Sequence, residues 1–269
     1  MWGQSGKGTC ILSEQKLYDP HDRENNAMTD ATSAAPTPAK SGLWEDFIDI
    51  FYQPSQVFER RRDGQFGLAL LLLVVISTIL YFALRNGLAP IMDAEMSKQA
   101  AAMAEKNPNM TAEQLAGAKS AMEKFAMFGT VIFIPIGVLI AAVLLWLAGK
   151  LFDAKVAFAA AMMIVTYSQI PKIAEMLLSA IQGLFLEPEA ITSRYSVQIG
   201  PARFLDADAN PILMTVLGGL DVFTIWVFVL CAIGLSVVAR VPIKRAAFAS
   251  AAVWLVSLLP ALYGALSQA

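Results

Sequence analysis

The stretch TYSQIPKIAEML, Thr166 to Leu177, decides how this chain is read. It lies inside a long apolar run, yet it carries Tyr167, Ser168, Gln169, Pro171, Lys172 and Glu175 where an ordinary membrane helix would carry Leu and Val. The apolar region around it extends from Val156 to about Leu186. As one straight helix it would be roughly 46 Å long at about 1.5 Å per residue, against a hydrocarbon core of about 30 Å. It must therefore tilt, bend or break. Pro171, near the middle, removes one backbone donor and clashes with the preceding turn, so a break there has an identifiable cause.

The rest of the chain has the same character. Hydrophobic residues make up 57% and charged residues only 16%, which places the chain outside the soluble globular class. Counting apolar stretches of about 20 residues predicts an all-α integral membrane protein with five spans, at about 66–84, 126–149, 156–186, 212–239 and 246–266. The net charge of -2 says nothing about a nucleic-acid partner, and with no basic, aromatic-interleaved stripe none is expected. The two cysteines, Cys10 and Cys231, fall in unlike settings that suggest neither a disulfide nor a metal pair. The one histidine, His21, lies in a polar tail, so a His-based site inside the membrane is excluded by inventory.

Residues 1–42 read as a disordered leader, with Met28 as the natural start and residues 1–27 as the product of a mis-called one. The segment GQSGKGTC, Gly3 to Cys10, superficially suggests a phosphate loop, but Gly8 follows Lys7 where Ser or Thr is required and no strand precedes it. Residues 43–58 predict an amphipathic helix. Leu43, Phe47, Ile50 and Phe51, with Trp44 and Ile48 beside them, fall on one side, and Glu45, Asp46 and Asp49 on the other. Pro54 ends or kinks it. Trp44, Phe47, Phe51, Pro54 and Phe58 would anchor it in the membrane interface, or the helix packs on the protein's own spans.

Cations cluster at alternate span ends: Arg60 to Arg62, Lys150 with Lys155, and Arg240 with Lys244 and Arg245. The positive-inside rule then puts the N-terminus in the cytoplasm and, with five spans, the C-terminus outside. The connection Ala89 to Phe128 is rich in Ala, Met, Glu and Lys and is divided by Asn107-Pro108-Asn109, which predicts an extracytoplasmic helical hairpin over about 90–125. Thr111 and Gln114 have capping-box spacing. Met92, Met96 and Met103 fit a packing stripe and not a copper site, since no His or Cys accompanies them. In the connection Glu187 to Pro211, Arg194 to Ile199 predicts a short strand turning at Gly200-Pro201. Asp206, Asp208 and Asn210 alternate like calcium donors, but the Gly and closing Glu of such a loop are missing, so helix-start chemistry before Pro211 is expected.

An ionisable group inside a span costs about 2.5 to 3.5 kcal/mol even on the mild insertion scale, so Lys172, Glu175 and Asp221 are the functional candidates. Lys172, roughly 24 Å along a helix running outward, and Asp221, about ten residues into one running inward, reach similar depths and are expected to pair. The alternative is that Lys172 and Glu175, three residues apart, neutralise each other while snorkelling. Ser168 has no His to activate it and no carboxylate pair shares a face, so catalysis is disfavoured and no cofactor or metal is expected.

WEDFIDIFYQPSQVF, Trp44 to Phe58, then YSQIP, Tyr167 to Pro171, then LDVFTIWVFVLCAIGL, Leu220 to Leu235, and the basic RVPIKRAA after it resemble, in that order, the YIP family, the Ypt/Rab-interacting integral membrane proteins, in its bacterial branch. The resemblance implies five spans with a cytosolic N-terminus in the bacterial inner membrane, and a non-enzymatic role through lipid or protein interactions. Self-association is left open, and a prenylated Rab GTPase would be a partner only in a eukaryotic setting. A small transporter or channel built on the broken third helix is the rival, but such folds show paired interruptions and only one is evident here.

The topology is testable. A membrane-impermeant thiol reagent added outside is expected to miss Asp153→Cys and to label Ala207→Cys; the reverse pattern would end this orientation.

Overall fold

Every regular element among the described residues is helical, as the apolar and Ala-rich runs require of a chain that must satisfy its own backbone hydrogen bonds. The computed structural model describes residues 42–205 and 210–266, without side chains at 123, 126–128 and 130. The leader, with Cys10, His21 and Met28, and the donors Asp206 and Asp208 lie outside the described residues.

A helix pair, α1 (Leu43–Tyr52) and α2 (Pro54–Arg60), precedes α3 (Gly67–Ala83). The chain then turns by 88° into α4 (Arg85–Lys106). A turn at Asn107–Met110 leads to α5 (Ala112–Leu151), whose start is fixed by the capping box: Thr111 Oγ1 accepts from the Gln114 amide at 3.2 Å and Gln114 Oε1 accepts from the Thr111 amide at 2.9 Å. The two arms of the expected hairpin are thus α4 and the first part of α5. After α5 come α6 (Phe158–Ser168) and α7 (Pro171–Phe185), three short 3-10 turns, then α8 (Pro211–Gly218), α9 (Val222–Ala239) and α10 (Ile243–Leu266).

Among the described residues three segments are long and apolar enough to cross a membrane, Val131–Leu151, Val222–Ala239 and Ile243–Leu266, and the bent pair α3 and α4 makes a fourth if the two helices count as one broken span. The third apolar run divides at Gln169 and Ile170. Both keep right-handed helical backbone angles, so the interruption is a kink tightened by i to i+3 bonds, Lys172 N to Gln169 O at 2.9 Å and Ile173 N to Ile170 O at 3.0 Å. Pro171 occupies the first turn of α7, where a missing N–H costs least.

The structure corrects the sequence reading in three places. The run 212–239 is not one helix: it stops at Gly218-Gly219, and Asp221, in extended conformation, starts α9. Arg194–Val197 is a 3-10 turn and not a strand, because Ser193 Oγ accepts from the Tyr195 amide at 3.3 Å and closes the backbone on itself. Asp46, assigned to the solvated side of α1, is fully buried.

The core gathers Leu145, Met163, Ile164, Leu230 and Leu235 from α5, α6 and α9. Phe47, Ile50, Val57 and Phe58 insert into it, so α1 and α2 pack on the protein's own helices. Phe51 meets Trp226 edge to face at 5.3 Å, while Trp44 and Tyr52 stay exposed. The buried Asp46 is held by Arg60 at 2.8 Å and Arg61 at 2.6 Å, and Arg60 also reaches Asp49 at 2.7 Å. Arg62 pairs with Glu59 at 2.8 Å, so all three arginines of the run Arg60 to Arg62, counted as a topology signal, are engaged in ion pairs.

The α4 and α7 helices cross at contact distance of their backbones. A Cβ on Gly87 would overlap the Ala180 carbonyl, and one on Gly183 would overlap the carbonyl of Gly87. Small residues at such a crossing are the means by which membrane helices approach closely. Gly183→Leu is expected to lower stability to detergent-induced unfolding by about 1–3 kcal/mol through overpacking. Gly117→Ala, where an added Cβ meets nothing within 4 Å, should not. Equal behaviour of the two variants would refute the crossing.

Candidate functional site

The kink in the third run and the break in the fourth meet. Lys172, in the first turn of α7, lies with its Nζ 2.5 Å from Glu175 Oε2, 2.9 Å from Thr224 Oγ1 and 3.6 Å from Asp221 Oδ2. Asp221 is the N-cap of α9. Its Oδ1 accepts from the Phe223 amide and its Oδ2 from the Thr224 amide, each at 3.0 Å. The Thr224 hydroxyl accepts from Lys172 and donates to Asp221, so one hydroxyl joins the two helices. Asp221 is only 1% exposed, whereas Lys172 and Glu175 keep part of their side chains open.

Local sequence explains the geometry. Gly218-Gly219 ends α8, and Asp221 offers the side chain that best satisfies free N–H groups at a helix start, with the helix dipole favouring its charge. The break is braced by Trp254 Nε1, which donates to the Gly219 carbonyl at 3.1 Å, and by the Val222 amide, which donates to the Ile199 carbonyl at 3.0 Å. Tyr195 seats against Gly218, where a Cβ would strike its ring. Asn210 caps α8 in the same way, its Oδ1 accepting from the Ile212 and Leu213 amides at 3.0 Å.

The candidates read from the stretch Tyr167 to Glu175 divide into two groups. Lys172 and Glu175 gather with Asp221. Tyr167 and Ser168 are fully buried: the Tyr167 ring meets Phe47 of α1 edge to face at 6.4 Å and its hydroxyl faces Asp46, while Ser168 lies beside Cys231 of α9. Gln169 lies between, on the wall of a largely apolar cavity of about 430 Å³ with Val165, Val227 and Val253. Pro171 is the hinge between the groups. Thr224 and Arg194 are partners that the sequence reading missed. The Asp221–Thr224 spacing, a helix-start pair after two glycines, was the available signal for the first.

Lys172, Glu175 and Thr224 line an open cleft of about 530 Å³. Its polar side is completed by Arg194, Tyr195 and Gln198 from the connection before α8, and its apolar side by Leu88, Ile91, Met176, Leu258 and Ala261. Such a lining can hold a molecule with both a charged and an oily part.

Residues 48–264, most of the chain, match the family model described as the Yip1 domain. The chain belongs to the Yip1 family. Its apolar helices make it a multi-pass membrane protein of that family. No curated protein and no solved structure gives a match.

The pairing in this Yip1 protein is open to a double-mutant cycle. Asp221→Asn keeps a capping side chain and removes the charge; Lys172→Met removes the cation. The two changes are expected to be non-additive by about 0.6 to 1.7 kcal/mol in detergent unfolding, the range of interhelical polar contacts in membranes. Strict additivity would leave Lys172 paired with Glu175 alone.

Proposed function

We propose that this Yip1 protein is a non-enzymatic binding protein of the membrane, acting on lipid or on partner proteins through the cleft at its two helix interruptions. The observation that carries this reading is the contact of Lys172 with Thr224 and Asp221. It holds a charged group in place at the floor of an open cleft instead of burying it among side chains. The five-span arrangement belongs to the same proposal. The α6 and α7 helices, continued through helical backbone at Gln169 and Ile170, extend about 42 Å and together exceed a bilayer core. The cations at Lys150 to Lys155 and Arg240 to Arg245 support the proposal of a cytoplasmic N-terminus, and a bacterial inner membrane is the setting that the family resemblance implies.

Transport gains one point in its favour, since the break at Gly218 to Leu220 supplies a second interruption facing the first. Against it stands the layer on the α1 side of the cluster. Met163, Ile164, Tyr167 and Leu230 are fully buried and close-packed, which offers a polar solute no aqueous route. Binding therefore stands ahead of translocation.

The test is purification in mild detergent, with mass spectrometry of the lipids and proteins retained, beside solute uptake into proteoliposomes. Wild type is expected to retain a defined ligand. The Lys172→Met variant should retain about fivefold less, the size of a contact worth about 1 kcal/mol. Solute uptake by the wild type that the variant lacks would move the protein to the transport class.

A further inference from the structure

The chemistry of the cleft is more specific than its volume. About 530 Å³ falls within the roughly 300–1,000 Å³ typical of small-molecule sites. The lining carries both signs of charge, Lys172 and Arg194 against Glu175, with Asp221 behind Lys172. These groups are not equally free. The Lys172 ammonium is already satisfied by Glu175 and Thr224. The Arg194 guanidinium lies 5.1 Å from the centre of the Tyr195 ring and donates once, to the Tyr195 hydroxyl at 3.1 Å. Among the described residues no carboxylate forms an ion pair with it. Glu95 accepts instead from the Arg194 backbone amide at 2.8 Å, which fixes the loop and leaves the fork of the side chain open. A planar guanidinium with free N–H groups is the side chain best matched to a phosphate.

An opposite need is present a few residues away. Gln198 Oε1 is buried, lines the same cleft and has no hydrogen-bond partner among the described residues. A buried acceptor of this kind is costly until a donor reaches it. With Glu175 beside the cleft, the fitting donor is a primary ammonium. A purely anionic headgroup would meet Glu175 and leave Gln198 unsatisfied, and a trimethylammonium group has no N–H to give.

We propose that the cleft binds the phosphoethanolamine headgroup of a phospholipid, with the phosphate on Arg194, the ammonium on Glu175 and Gln198, and the glycerol and first acyl carbons against Leu88, Ile91, Met176 and Leu258. This rests on the binding reading above and names its ligand. The zwitterion matches a lining of mixed charge, and the tail matches the apolar wall that a free phosphoethanolamine would leave wet.

The experiment uses the full chain, delipidated in detergent, with lipid binding followed by native mass spectrometry. The probes are phosphatidylethanolamine, phosphatidylcholine and phosphatidylglycerol of identical acyl chains, and soluble phosphoethanolamine. Phosphatidylethanolamine is expected to bind about tenfold more tightly than either other lipid, a difference of about 1.4 kcal/mol. Arg194→Gln should weaken all three lipids alike, whereas Glu175→Gln and Gln198→Leu should abolish only the preference for ethanolamine. Arg194 and Gln198 lie on the connection outside the helices, so their variants test the site should Glu175→Gln fail to fold. Equal binding of the three lipids, or a preference untouched by both Glu175→Gln and Gln198→Leu, overturns the headgroup assignment. Binding of soluble phosphoethanolamine as tight as that of the lipid overturns the part given to the tail. If phosphatidylethanolamine shows no preference while Lys172→Met still loses a co-purifying ligand, the binding function stands and only this ligand is wrong.

Discussion

The Asp221 carboxylate is the group on which the cleft end of the protein depends. It is buried to 1% exposure, and burying a charge there is tolerable because the groups bonded to it answer it, against the like charge of Glu175 nearby. Two backbone amides of α9 point at it, the Thr224 hydroxyl donates to it, and Lys172 stands 3.6 Å away. The same carboxylate thus completes a helix start and neutralises a cation from another helix. The break before α9 and the kink before α7 are solved by one side chain. Removing a single partner would leave the other charge stranded in a poorly solvated place, which costs more than the pair contributes.

Around this anchor, close packing builds the walls of the cleft. The crossing of Gly87 with Ala180 and Gly183 lays α4 on α7 and brings Leu88 and Ile91 to the cleft. Ile91 then joins Ile191 and Val197 in a small second core, which holds the connection carrying Arg194 and Gln198 against the helices. The Gln182 side chain donates to the Val197 carbonyl at 2.7 Å and accepts from Arg203 at 2.8 Å, tying the connection to α7. A segment with no long helix of its own is thereby fixed well enough to present side chains.

What the sequence revealed follows the range of the interactions concerned. The capping box at Thr111 and Gln114 and the interruption at Pro171 are local, and both are found where they were expected. The proximity of Lys172 to Asp221 followed from two opposed helices and a shared depth, although Asp221 caps a helix instead of interrupting one. The break at Gly218 to Leu220 was hidden because the residues on both sides are apolar, so hydropathy runs on unbroken while the backbone stops. Asp46 was misplaced for a different reason. An amphipathic pattern assigns every charge to water, and the arginines that justify burial lie 14 and 15 residues further on.

The buried Asp46 has a further consequence for the stretch Tyr167 to Lys172. Asp46 reaches the core on α1, locked by Arg60 and Arg61, and there it faces the Tyr167 hydroxyl while Phe47 covers the Tyr167 ring. Five residues on, Lys172 is held by Thr224 and Glu175. The kink therefore sits between two polar clusters, one supplied by the N-terminal helix pair and one by α9. Gln169 and Ile170 keep helical backbone angles between them, so the joint is a stiff turn and not a slack loop. Pro171 has no N–H to give at that point, so the joint is held by the bonds on either side of it, Ile170 N to Tyr167 O at 3.2 Å and Lys172 N to Gln169 O at 2.9 Å, together with the two clusters. The side chains at both ends add to those bonds, so a helix pair that does not line the cleft braces the joint from which Lys172 reaches it.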